Sequence, residues 1–203
     1  MHDFFERVGS CDGQSIVLTL IAEKKFTLLQ YNAVMAKLPL KFYETSDRPL
    51  PVKAQSDKLQ GTALAVGMQI RLMTFLIHQL VDDDEVSPAL ELLFLLHQLQ
   101  EYIMADAYNP ADRMAFEELM VLYLAKRREC FELFPFFTKI VSKYHFMEHY
   151  EEQMEGYGPL TGVWTARFES KHRDYINWTE SCKNWINLLK TLAEKNQKKM
   201  ATR

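Results

Sequence analysis

Three dipeptides cut this chain into helix-sized pieces: Ser87-Pro88, Asn109-Pro110 and Gly158-Pro159 each set a proline where a helix can begin. Proline has no amide hydrogen and a φ fixed near the helical value, so a first helical turn accepts it and a central strand does not. Ser87 and Asn109 add side-chain oxygens that can accept from the free amides of that turn. Beyond each signal, apolar residues recur at helical spacing. Met114, Leu119, Leu122, Phe131 and Leu133 follow Asn109-Pro110 until Pro135, and Trp164 and Phe168 stand four apart after Gly158-Pro159. This punctuation predicts an all-α chain, an irregular bundle of about eight to nine helices.

The rest of the chain reads in the same way. Residues 14–23 carry Ile16, Val17, Leu20 and Ile21 at helical spacing, and Thr27 then caps a second helix to about Lys37, where Leu38-Pro39 stops it. Residues 38–60 contain Pro39, Pro49 and Pro51 with little periodicity and read as a connector, ordered or partly mobile, the segment most open to disorder. Between residues 62 and 81, Leu64, Met68, Leu72, Phe75 and Leu76 are apolar on more than one face, which predicts a buried central helix. An acidic run at 82–85 favours the positive end of the helix opening at Ser87-Pro88, which extends to about Asp106. Residues 136–155 predict one or two further helices broken by Gly156 and Gly158, and helices near 160–176 and 181–199 complete the chain. The expected organisation is one helical domain over 1–203: N-terminal helices at 1–37, the connector at 38–60, and a main bundle at 61–203 with a basic last helix.

Composition narrows the function classes. With 48% hydrophobic residues in 203, the chain can bury a core. The apolar run 89–96 is broken by Glu91 and followed by His97, short of the roughly 20 residues of a membrane span. The opening Phe4-Phe5-Glu6-Arg7 mixes charge into its first turn, so no secretory leader and an intracellular setting are expected. Cys11, Cys130 and Cys182 are odd in number and widely spaced, which argues for reduced packing residues over disulfides or a zinc knuckle. The net charge of −3 is unlike that of a protein living on bare nucleic acid. Charge is polarised, however: residues 82–118 hold ten acids and one base, whereas residues 183–203 hold six bases and one acid.

Glu169 lies within GPLTGVWTARFESKH (158–172), a carboxylate among Arg167, Lys171, His172 and Arg173; an ordinary helix would spend it on an i,i+4 pair with Arg173. The wording of this segment resembles the C-terminal part of CACTA (En/Spm-like) transposases and the animal proteins derived from them, where the text runs close to FGPL and then WTMRFEAKH. MHDFFERV at the start is similar to their MHDLLEG, EKKFTLLQYN to KKYFTLEELN, and SKYHFMEHY to PKHHFLEHY. In order, these matches span nearly the whole chain; the first and last are the specific ones, and residues 40–125 match in length and helical character.

The resemblance implies an RNase H-like core whose three acids hold two metal ions, with a helical insertion before the last acid. Glu169 matches that final acid, and His2 the end of a short Asp/Cys-x-x-His motif. The other two acids would lie upstream of Met1. One carboxylate does not hold Mg²⁺ for phosphoryl transfer, so no catalysis and no cofactor are expected in isolation, with Mg²⁺ entering only in a complete transposase core.

Other chemistry is weaker. His145-Phe146-Met147-Glu148-His149 matches the H-x-x-E-H inverted zincin pattern, in which two histidines four apart bind zinc, but no third ligand declares itself; Phe146, Met147 and Tyr150 give the segment an apolar side instead. His78 and His97, within apolar runs, read as core or boundary histidines. Ser170-Lys171-His172 lacks the strand-to-helix turn of a nucleophile elbow. The aromatics Tyr144, Tyr150, Tyr157, Trp164, Phe168, Tyr175, Trp178 and Trp185 serve either a core or an interface, core being the plainer reading.

The reading these residues support is a transposon-derived, non-catalytic helical module that binds protein partners in the nucleus. Its expected contacts are Trp164, Phe168, Tyr175, Trp178 and Trp185. DNA association would be indirect, no membrane is involved, and homo-oligomerisation stays open. One alternative is an excised part of a working transposase with Glu169 as its last metal-binding acid. Another is a nucleic-acid contact through Lys126, Arg127 and Arg128 and the terminal Lys195, Lys198 and Lys199.

Overall fold

Small residues determine which helix takes the centre. The structure, a computed structural model, describes residues 4–41, 47–81, 87–138, 142–163, 178–179 and 187–201. After a π-helical opening at Phe4–Val8, helix α1 (Gly9–Ala22) buries eleven of its fourteen residues. Gly9 and Gly13 allow that enclosure. A Cβ on Gly9 would stand 2.7 Å from Ile70 Cδ1, and one on Gly13 2.8 Å from Leu59 Cδ1. The GSCDG run therefore begins a helix earlier than residue 14, because packing against neighbours outweighs the poor helix propensity of glycine and serine.

Helix α2 (Leu28–Ala36) opens at Thr27, as the sequence predicts, and Gln30 completes a capping box there. The proline-containing stretch is tied down where it is described. Asn32 accepts from the Val52 amide (2.9 Å) and donates to its carbonyl (3.0 Å), Gln14 donates to the Lys53 carbonyl (2.7 Å), and Leu59 N–H donates to the Ser10 carbonyl (2.9 Å). Val52 and Leu59 are buried, so residues 47–60 form a strap over α1 and α2.

Helix α3 (Ala63–His78), capped by Thr62, buries nine of sixteen residues and exposes Leu64 and Phe75. Ile70, Met73 and Leu76 are fully buried, so α3 contributes to the core as expected, while α1 is the more completely enclosed of the two. His78 is exposed at its end and His97 half-buried. Helix α4 (Pro88–Ile103) starts at Ser87, whose oxygen accepts from Ala89 N–H; a 3₁₀ turn (Pro110–Asp112) capped by Asn109 leads into α5 (Arg113–Leu133). Both entrances fall where the Ser-Pro and Asn-Pro signals put them. α4 and α5 form the most extensive helix pair, with Tyr102 and Phe116 edge to face at 5.7 Å.

Three short helices follow: α6 (Ser142–Glu148), α7 (Tyr150–Tyr157) and α8 (Leu160–Val163). Gly156 lies inside α7; Gly158, at φ 78°, breaks the chain before Pro159. Helix α9 (Leu188–Ala201) carries the basic C-terminal sequence. Contacts divide the chain into two compact units, Met1–Val163 and Trp164–Arg203. The fold is all-α, with nine α-helices and no strand among the described residues. No helix there is long and apolar enough to cross a membrane.

Candidate functional site

The polar centre of the first unit is Asp12, a fully buried acid on α1. Tyr123 donates to its Oδ2, Tyr144 donates to its Oδ1 at 2.7 Å, and Arg127 donates through Nε to the same oxygen at 3.2 Å. Arg127, itself fully buried, also donates through Nη2 to the Thr138 carbonyl, and its guanidinium carbon lies 5.2 Å from the Tyr144 ring centroid and 5.4 Å from that of Phe137. Ser15 reaches the Phe136 carbonyl from α1 at 2.9 Å. Asp12 thus ties α1 to α5 and α6, and Arg127 and Ser15 extend the network to residues 136–138.

Burial pushes the Asp12 carboxyl upward, while Arg127 and the two phenols favour its charged form. Burial likewise raises the hydroxyls of Tyr123 and Tyr144, with the Asp12 charge adding to the effect. Desolvation is the largest single influence on Arg127 and weakens its charged state, but Asp12 together with Tyr144 and Tyr123 outweighs it and the guanidinium is raised. Two phenol donors and a guanidinium meet on one carboxylate in an internal ion pair whose acid is fully bonded, while Arg127 Nη1 is left without a hydrogen-bond partner, and removing either partner would strand a buried charge. This cluster organises the fold and opens onto no solvent.

That these residues meet had no signal in the sequence. Asp12 sits 111 residues from Tyr123 and 132 from Tyr144, beyond any local spacing rule. Arg127, expected in a basic surface triplet, is removed from any phosphate contact by its burial. Lys126 is held between Glu91 (2.6 Å) and Glu129 (2.7 Å), and Arg128 alone of the three is exposed. The triplet is therefore no continuous basic patch. Arg113 joins α5 to α7 through Glu151 and Glu155 at 2.9 and 3.0 Å, and pairs within α5 with Glu117 at 3.2 Å.

A cleft of about 260 Å³ lies in the first unit between the end of α4, the 3₁₀ turn and α7. Tyr102, Phe116 and Met154 form its apolar wall, and Glu101 and Asp112 are exposed beside it. The outward sides of α4 and α5 carry large apolar groups in water: Met114 is 70% exposed, Val121 67%, Leu122 58% and Phe94 57%. Met114 and Leu122, which mark the helix in the sequence, lie on its exposed side; the buried positions of α5 are Phe116, Leu119, Met120, Tyr123, Arg127 and Cys130.

Of the other expected site residues, His145 and His149 are exposed and adjacent, their Nε2 atoms 3.4 Å apart. Among the described residues, no three His, Cys, Asp or Glu side chains stand together as a metal-holding group. Tyr144 and Tyr150 are core residues and Tyr157 is 76% exposed; Cys11 and Cys130 are buried free thiols. Trp178 is half-buried in the second unit, and Lys195, Lys198 and Lys199 fall on α9. His2, Trp164, Phe168, Glu169, Tyr175, Cys182 and Trp185 lie outside the described residues. Comparison with protein-family models, curated proteins and solved structures finds no match to the chain.

Proposed function

We propose that this chain is a transposon-derived helical protein-interaction module that works without catalysis in a nuclear complex. The observation that carries the binding role is the apolar outer surface of the α4–α5 pair. Glu91 is bonded to Lys126, so Phe94, one turn further along α4, and Leu122, one turn back along α5, stand on the same side of that pair. Both are more than half exposed, and Val121 is exposed beside Leu122.

Each such side chain gains about 1.5–3 kcal/mol when it leaves water, so a partner covering several of them has a driving force at hand. Aromatic and long apolar groups are the usual anchors of such contacts. The buried Asp12–Arg127 cluster supports the same reading differently, since it fixes α5 against α1 and gives the exposed side chains a rigid base. The transposon ancestry and the nuclear setting come from the motif resemblance alone.

The test is affinity capture from nuclear extract with the chain and with a Phe94→Glu/Leu122→Glu variant. A partner retained by the first and lost by the second is the expected outcome; no stable partner for either overturns the proposal. Salt-sensitive retention of duplex DNA, abolished by deleting residues 183–203, would favour a nucleic-acid role through the basic end instead.

A further inference from the structure

We propose that His145 and His149 form a two-nitrogen chelate for a divalent transition-metal ion, zinc above all, at the joint between α6 and α7. The histidines are four residues apart, and the backbone keeps a helical turn across the joint: His149 N–H donates to the Phe146 carbonyl (3.3 Å) and Gln153 N–H to the His149 carbonyl (3.1 Å). Both rings therefore leave the chain on the same side, with centroids 4.9 Å apart and planes at 79°.

The outer nitrogens of the two rings are already engaged. His145 Nδ1 lies 3.1 Å from Glu148 Oε2, and His149 Nδ1 lies 3.3 Å from Glu152 Oε2. A carboxylate accepts at Nδ1–H, which leaves the lone pair on Nε2; this carboxylate–histidine pairing is the usual support of a metal-binding imidazole. With both rings in that tautomer, the two Nε2 atoms, 3.4 Å apart, each have a lone pair available. A proton on one of the two nitrogens or a metal ion held by both would relieve the opposition of those lone pairs.

The spacing suits a tetrahedral ion. Two nitrogens each about 2.0–2.1 Å from a tetrahedral centre stand about 3.3–3.4 Å apart, whereas neighbouring nitrogens of an octahedral centre at the same bond length stand about 2.8–3.0 Å apart. Imidazole donors select zinc, copper or nickel over magnesium or calcium. The side chains of His145 and His149 are 63% and 46% exposed, so water can complete the coordination, and Glu148 and Glu152 offset the ion's charge. Two protein ligands make an open site.

The experiment is zinc titration by calorimetry on tag-free protein, comparing the chain with His145→Ala, His149→Ala and the double variant. Circular dichroism confirms that each remains folded, and His145→Gln and His149→Gln serve if an alanine variant does not. One zinc ion per chain is expected, with affinity falling at least tenfold in each single variant and more in the double. Copper(II) should show spin-resonance coupling to two imidazole nitrogens in the chain and to one in either single variant. Absence of zinc binding below millimolar concentration, or a loss of less than tenfold in the double variant, overturns the proposal.

Discussion

Two clusters of the first unit are built from similar materials and put to opposite uses. Around Asp12, an acid, a guanidinium and two phenols meet with no exposure; at His145 and His149, two bases and two acids meet in water. The first brings together residues more than 100 positions apart, and its interactions act where the dielectric is low. The second is made within one stretch of eight residues and is screened by solvent. Burial decides the role: a satisfied charge inside fixes helices, whereas the same chemistry outside is free to take a ligand.

The largest effect should come from breaking the buried cluster. Arg127→Met or Asp12→Leu alone should cost about 3–5 kcal/mol in urea unfolding, because each strands its partner's charge, and combining them should cost less than the sum of the two. A strictly additive pair would show that the two side chains do not act together.

Alkaline pH should also destabilise the interior. Burial pushes the Cys130 thiol up to about 12, and Tyr123 and Tyr144 are raised too. These acids hold their protons in the fold after the unfolded chain has released its own. The unfolded state then binds fewer protons, so stability is retained below the ordinary thiol value of 9.0 and falls as pH rises from there toward about 12. Chemical unfolding at a series of pH values checks the sign; a stability that grows over this range would contradict it.

Caps and surface pairs matter less. Thr27→Ala removes the capping box of α2 and should cost about 1 kcal/mol. Lys126→Met breaks two partly solvated ion pairs and should cost only about 0.2–1 kcal/mol. Smaller still, His145→Ala and His149→Ala in metal-free buffer should shift stability by less than about 0.5 kcal/mol, separating the exposed cluster from the buried one.

The same division between local and distant explains what could be read from the residues. Thr27, Ser87 and Asn109 mark helix entrances because a cap is settled by the next few amides. His145 and His149 could be singled out because a four-residue spacing carries its geometry with it. Asp12 could not: in a run of glycine, serine and cysteine it looks like part of a loop, and its partners arrive only when α5 and α6 pack. Arg127 was legible as a charge but not as a buried one, since its destination depends on Asp12. Periodicity finds the apolar residues of α5 without saying which will be covered, and Met114 and Leu122 show how much that leaves undecided.

The claim that the exposed α4–α5 surface exists for binding meets its most direct test in one paired measurement on Phe94→Glu/Leu122→Glu: thermal stability, and retention of the partner captured from nuclear extract. The account predicts stability within about 0.5 kcal/mol of the unaltered chain, as for solvated positions, together with loss of the partner. Undiminished retention of that partner by an equally stable variant would contradict it.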